Sequence, residues 1–525
     1  MYPRSRASVG QPGCDICILK ASEPVKISIV RFLPFIFVLI TLSLIGSEPQ
    51  ALQTAAATVA DNYAHCRFGV TAPPEIASYD VASLNLGWYV DWAINPSPPQ
   101  PAGIEYVQMV RLRQQGVDGW NFQAGQSWET LTDAIAANSG ALWLIGNEPD
   151  SPFQDDMVPQ SYAHAFHDLH NFIKDQDPTS KVGIGGIVQP TPLRLAYLDK
   201  VWDTYYRTYG KTMPVDVWNI HSFILRETTV VPDPEPCGSR TVPVWGAYIP
   251  PGAGASMGKL YCIRDQDNLD IFWQRIRDFR RWMANKGERN KPLIISEYGV
   301  LFYEDFHDED GNTFSQERVG EFMIGTFDRM LNETDSTIGY PHDGNRLVQR
   351  WAWFSLSENP NDWGGTLFDP DTRALRPLGQ TYVDYTSAIT PSVDLLAVYA
   401  YSEPPVFWYE GKPVTATLKA VVSNAGSIAT AESVAVNFYD GPPGEPGTEP
   451  IGSVQVVPRE LGGCADYAVV SVSWSGLGVG AHSFYVQIDA EGTIAEADET
   501  NNVASAIVLV ATERVFLPSA TKDTN

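Results

Sequence analysis

Eight short apolar runs, separated by helical patterns, organise residues 58–389 of this 525-residue chain. They occupy 67–71, 84–90, 106–112, 142–147, 182–187, 217–221, 293–298 and 348–354. Strands that alternate with helices must lie parallel, because each crossover returns the chain to the same end of the sheet. Between the runs, 161–174 and 269–286 carry apolar residues at spacings of three and four, the mark of one buried helix face. The pattern predicts an α/β fold, a (β/α)8 TIM barrel with insertions. An open doubly wound sheet would carry a Gly-rich loop after its first strand. Residues 70–74 instead read VTAPP.

Two of the runs end on glutamates. ALWLIG (141–146) leads into Asn147-Glu148-Pro149-Asp150, and PLIIS (292–296) leads into Glu297-Tyr298-Gly299. In a TIM barrel all strands open their C-terminal ends on one face, and the fourth and seventh stand across its mouth. A single Glu after an apolar strand is usually a loop residue or an ion-pair partner. Two of them, three strands apart, fit the facing carboxyls that cleave glycosidic bonds. One carboxyl must be protonated to assist the leaving oxygen, and the other must be ionised to attack the anomeric carbon. Retaining enzymes hold the two about 5 Å apart.

These segments resemble the clan A glycoside hydrolases, whose acid/base and nucleophile glutamates end strands four and seven. The order GWYVDW (87–92), YVQMVRL (106–112), IGNEPD (145–150), WNIHSF (218–223), IISEYG (294–299) and RWAWF (350–354) is most similar to glycoside hydrolase family 128, the Asl1-like barrels. Characterised members of that family act on β-1,3-glucans. Asp91-Trp92 stands where the family has Asn-Trp, and the loops here are longer. The resemblance implies a retaining hydrolase of a glycan, with a β-glucan as one substrate. Glu148 would be the acid/base and Glu297 the nucleophile. It also implies that Asn147 holds the sugar 2-hydroxyl, that His221 lines the catalytic subsite and that Trp353 is an aromatic platform. Trp88 and Trp92 are candidate stacking residues, and Trp351 is read as core. Arg111 or Arg113 would reach the nucleophile region. Burial and a nearby Glu297 charge should raise the Glu148 pKa, while donors around Glu297 keep it ionised. The mechanism needs no metal or cofactor.

The net charge of −26 argues against nucleic acid and anionic membranes as partners. A neutral or cationic substrate, a polysaccharide or oligosaccharide, fits it. Fifteen Trp and 23 Tyr suit sugar faces, although large barrels bury many aromatics anyway. A monomer is expected.

Residues 32–46, FLPFIFVLITLSLIG, follow Lys26 and Arg31 and precede Ala55, Ala56 and Ala57. That order is an export signal, and the run is short for a spanning helix. Residues 1–57 are therefore assigned to export and an unstructured N-terminus. The product is secreted, or alternatively tethered by an uncleaved segment. Cys14 and Cys17 fall in this excluded part. Cys237 and Cys262 flank a Pro- and Gly-rich insertion at 224–266 and could pair, as export permits. Cys66 is expected to be a buried small residue and Cys464 to be isolated.

After a linker near 388–393, residues 390–512 show alternating, β-rich runs divided by Gly, Pro and Asn turns. They predict an Ig-like β-sandwich of about seven strands, with 513–525 as a tail. IDAEGTIAEADETNN (488–502) resembles the CARDB adhesion module, which suggests cell-surface or cell-wall attachment. Glu496, Asp498 and Glu499 offer calcium oxygens, although a solvated turn is the plainer reading. His164, His167 and His170 mark one helix face more readily than a metal site. Residues 308–311 imitate a calcium loop but begin after Phe306, where an Asp is required. A non-catalytic glycan-binding or adhesion protein on a glycosidase-like barrel is the competing functional class.

Overall fold

The computed structural model describes residues 65–228, 237, 246–359, 363–457 and 459–512. The export segment 1–57, Cys14, Cys17, part of the 224–266 insertion and the tail 513–525 lie outside the described residues. No helix among the described residues is long and apolar enough to cross a membrane.

Eight parallel strands form the first sheet. They are β1 (His65–Thr71), β2 (Leu86–Val90), β3 (Glu105–Val110), β4 (Leu142–Ile145), β5 (Lys181–Ile184), β6 (Trp218–His221), β7 (Leu293–Tyr298) and β8 (Arg350–Trp353). Their order is β5-β4-β3-β2-β1-β8-β7-β6. Parallel bridges Gly183–Val217 and Ile187–Ile220 join β5 to β6 and close the barrel.

Among the described residues six α-helices surround it: α1 (Trp128–Ala137), α2 (Pro159–Gln176), α3 (Pro192–Tyr209), α4 (Leu269–Asn285), α5 (Gln316–Asn332) and α6 (Pro377–Ser387). Proline opens α2, α3 and α6, where its missing N–H costs nothing. Ser127, Asn268 and Ser315 cap α1, α4 and α5 through their side chains. The first two crossovers depart from the ideal fold. They contain only 3-10 turns, at Ile76–Ser78, Val81–Leu84 and Pro101–Gly103. Residues 96–101 hold four prolines, which forbid an α-helix there.

Side-chain alternation sorts each strand into two layers. Trp88, Val90, Val107, Met109, Leu142, Leu144, Val217, Ile294 and Ala352 fill the barrel interior. Trp143, Ile145, Trp351 and Trp353 face outward into the larger core shared with the helices. Gly69 makes room for the interior Trp88. A Cβ there would stand 2.5 Å from the indole.

Eight further strands build the sandwich. A three-stranded sheet has the order β9 (Leu395–Glu403), β11 (Val414–Asn424), β14 (Asp466–Leu477). A five-stranded sheet runs β10 (Val406–Trp408), β16 (Val503–Ala511), β15 (Gly480–Ile488), β12 (Ala435–Tyr439), β13 (Gln455–Val456). Their inner faces share a core around Leu418, Val436, Phe484 and Val508.

Two cysteine expectations need correction. Cys66 and Cys464 form a disulfide across 398 residues, so neither is a lone thiol. It ties the start of β1 to the loop before β14. Beside it, Arg67 grips Asp343 with two bonds of 2.7 and 2.8 Å and donates to the Ala425 carbonyl at 2.7 Å. The sandwich is thus clamped near the N-terminal ends of the barrel strands, away from the mouth. Cys237 and Cys262 are bonded to each other and clip the insertion.

Candidate active site

The mouth is built from strand ends. Gly146 leaves β4 with φ +92°, and Glu148 follows with φ +43°. A non-glycine residue in that region stores strain of roughly 1–3 kcal/mol, so its surroundings must hold it there. They do. The Glu148 N–H donates to the Gly186 carbonyl at 3.0 Å, and its own carbonyl accepts from Ser151 at 2.9 Å. Asp155, fully buried, accepts from the N–H groups of Asn147 (2.8 Å) and Leu112 (2.9 Å) and from Arg111 (2.7 Å). Asp150, two residues beyond Glu148, is ion-paired with the fully buried Arg194, which also bonds Glu227 at 2.8 Å.

Glu297 lies near the end of β7, 2 % exposed. Its Oε1 accepts from the Trp92 indole at 2.9 Å. The ring of His221, at the end of β6, lies between the two glutamates. Its Nδ1 is 3.0 Å from Glu148 Oε1 and 3.5 Å from Glu297 Oε2. The three groups offer oxygens and nitrogen that all lie within 4.8 Å of one another. Gly186 permits this placement, since a Cβ there would come within 2.3 Å of the imidazole.

The electrostatics reverse one expectation. Burial pushes the Glu297 carboxyl up, and the neighbouring Glu148 charge adds to it. His221 and Trp92 only partly offset this, and the pKa stands at about 7. Burial also acts on Glu148, but the closer His221 bond and charge outweigh it and hold that carboxyl below its usual range. Burial lowers the His221 pKa, yet the Glu297 and Glu148 charges raise it further, so the net shift is upward. The two carboxyls and the imidazole therefore titrate as one coupled group.

The structure brings Glu148, Glu297, His221, Asn147 and Trp92 together. Asn147 donates to Gln154 at 3.4 Å, and its buried Oδ1 has no protein partner. Arg111 does not bond Glu297. It pairs with Asp155 and Gln154 and touches the nucleophile region only through its charge. Arg113 is exposed on a hairpin after β3. Two tryptophans are misplaced in the sequence reading. Trp88 is fully buried inside the barrel under the Arg350 guanidinium. Trp353 is also fully buried, facing outward against Tyr298, with its indole bonded to the Gly365 carbonyl. Neither can meet a sugar. Phe354 and the half-buried Trp363 sit beside Trp92 at the mouth instead.

The tempting motifs are occupied otherwise. His167 stacks on Tyr209 at 3.5 Å, and His164 bonds the Tyr209 hydroxyl. Asp308 receives Arg318 and the N–H groups of Asp310 and Asn312. Glu496 accepts from the Leu395 N–H and from Asn502, fastening its turn to β9. Among the described residues, Glu148, His221 and Glu297 form one group close enough to ligate a cation. Cys237, Cys262 and Glu309 form the other, but its sulfurs are bonded to each other.

Residues 69–231 match the glycosyl hydrolase catalytic core family. The matched span runs from within β1 through β6 and includes Glu148 and His221. Residues 402–506 match the CARDB family. Similar solved structures include a GH128 subgroup II endo-β-1,3-glucanase from Pseudomonas viridiflava, at 16 % identity and TM-score 0.38, covering 61 % of this chain and 97 % of that one. A curdlan-specific GH128 subgroup III exo-β-1,3-glucanase from Blastomyces gilchristii shows 18 % identity and TM-score 0.37, covering 60 % and 97 %. A CARDB domain from Pyrococcus furiosus, solved in complex with di-metal ions, shows 24 % identity and TM-score 0.20, covering 24 % and 100 %. No curated protein matches the sequence.

Proposed function

We propose that this protein is an exported, retaining glycoside hydrolase acting on a glycan, with a β-glucan as the first substrate to test. The observation that carries the reading is the approach of Glu148 and Glu297 within 4.8 Å at one barrel mouth. An approach this close favours the shorter carboxyl spacing of retaining enzymes over the wider spacing of inverting ones.

Glu297 attacks the anomeric carbon as its bond to the leaving oxygen breaks, and Glu148 gives that oxygen a proton. Water then displaces Glu297, with Glu148 taking the water proton. His221 Nδ1 lies beside both carboxylates and can pass a proton between them, giving one up to one carboxylate as it takes one from the other. Trp92 then stabilises the ionised Glu297. The unpartnered Asn147 Oδ1 accepts from a sugar hydroxyl.

Export is supported by the two disulfides, which persist in oxidising compartments. Attachment to a cell surface is proposed for the CARDB-matching sandwich.

Turnover on β-1,3-, β-1,4- and β-1,6-glucans, mannans and galactans tests the reading. The wild type should release product of retained anomeric configuration, and Glu148→Ala and Glu297→Ala should lose most activity. Inverted product would refute the mechanism. Binding without turnover would favour a non-catalytic glycan receptor.

A further inference from the structure

Beyond Glu148 the same loop carries an exposed ring. Phe153 is 42 % exposed, five residues after the acid/base candidate. Its neighbour Gln154 bonds Arg111 and Asn147, which places the turn at the mouth. Edge-on against Phe153 lies Tyr248, with ring centroids 4.7 Å apart. Tyr248 comes from the long insertion between β6 and α4.

The pair is held deliberately from behind. Arg194 donates to the carbonyls of Ala247 (2.6 Å) and Tyr248 (2.9 Å) while it grips Asp150 and Glu227. One buried guanidinium therefore locks the insertion to the acid/base loop. Tyr248 itself sits at φ +54°, a conformation a bulky residue adopts only under constraint. Lys200 of α3 adds bonds to the Gly252 and Ala253 carbonyls, and the Cys237–Cys262 disulfide closes the same insertion. An aromatic pair with an exposed Phe153 and a half-buried Tyr248 on a rigid base has a small ordering cost and offers apolar ring surface, the properties a sugar platform needs.

Its position selects which sugars. A general acid touches the bridging oxygen, and the leaving sugar hangs from that oxygen. The nucleophile touches the opposite ring, across the mouth at β7. Groups on the Glu148 loop therefore border the leaving-group side. We propose that Phe153 and Tyr248 form a binding subsite for the leaving-group portion of a glycan chain. This rests on the hydrolase reading above.

The test compares two probes of one glycone. β-Laminaribiosyl fluoride has no sugar beyond the cleaved bond, whereas laminarihexaose fills both sides. The ratio of kcat/KM for the hexaose to that for the fluoride should fall about tenfold in Phe153→Ala and in Tyr248→Ala, a loss of about 1.4 kcal/mol in binding the leaving portion. Tyr248→Phe keeps the ring and should keep the wild-type ratio. An unchanged ratio in both alanine variants, including a parallel fall on both probes, overturns the subsite. A wild type inactive on both probes overturns instead the choice of a β-1,3-glucan as the chain this subsite holds.

Discussion

His221 Nδ1 stands 3.0 Å from the Glu148 carboxylate, and that contact lowers the Glu148 pKa. Without it the two buried glutamates would repel each other at close range, and both would be pushed toward the neutral form. With it, Glu148 is drawn down and Glu297 is left at about 7. A double displacement requires the pair to carry one proton, and opposite shifts of the two carboxyls favour that count.

The first prediction is a pH profile. The proton held by the pair is lost as pH rises through about 7. Activity as kcat/KM should fall on that basic limb, since no general acid remains. Removing the ring in His221→Gln takes away the imidazole that lowers both carboxyl pKa values. Their pKa values rise, so the basic limb should move to higher pH while kcat drops. Initial rates from pH 4 to 9 check it. A limb that stays in place would mean that another group supplies the proton.

Trp92 offers a second, independent handle on the nucleophile. Its indole is a direct protein donor to Glu297, at 2.9 Å. Hydrogen bonds to ionised groups contribute about 1.5–3 kcal/mol. Trp92→Phe should therefore raise the Glu297 pKa and reduce kcat/KM below pH 7 by about tenfold or more. The loss should shrink as pH rises and the carboxylate ionises regardless. A uniform loss at all pH values would assign Trp92 to substrate stacking alone.

Much of this site could be read from residues alone, because strand and motif coincide. The apolar runs that precede Glu148 and Glu297 leave little doubt about strand ends, and the barrel places them opposite one another. The errors came where neighbouring residues compete for a face. Trp351 and Trp353 share one side of β8, and the small Ala352 between them faces the crowded interior. Reading the small residue as the inward one would have moved both tryptophans outward. Trp88 misled because its partner is a glycine on another strand, which no local pattern shows. The Arg194 hub and the Cys66–Cys464 bond were illegible for a related reason. Each joins segments far apart in sequence, whose meeting depends on loop and domain placement. The proline-rich stretch at 96–101, by contrast, already excluded a second crossover helix.

A third prediction concerns stability. Glu297 titrates near its ordinary 4.5 when unfolded and at about 7 in the fold. Its favourable contribution is complete below the unfolded value and is lost as pH rises through about 7. The difference amounts to on the order of 3 kcal/mol. Glu297→Gln cannot ionise and escapes the loss. The variant should melt above the wild type at pH 8, with a smaller difference at pH 5. Calorimetric melts at both pH values check the sign, and a difference that does not grow with pH would contradict it.

The two disulfides should separate fold from function. Cys66–Cys464 closes 398 residues and lies at the strand N-termini, remote from Glu148 and Glu297. Loop-closure entropy alone assigns such a link about 6 kcal/mol. Replacing both cysteines by alanine should lower the melting temperature by on the order of 5 °C or more, with kcat/KM of the folded protein unchanged. Cys237–Cys262 closes only 25 residues, in the insertion that carries Tyr248. Its removal should cost less stability, because the released chain is shorter. It should instead raise KM for long oligosaccharides, because the wall beside the acid/base loop loses its clip. Melting curves and kinetics on the two double-alanine variants test the contrast. Equal effects on both measures would show that the sandwich clamp reaches the mouth, against the separation seen in the fold.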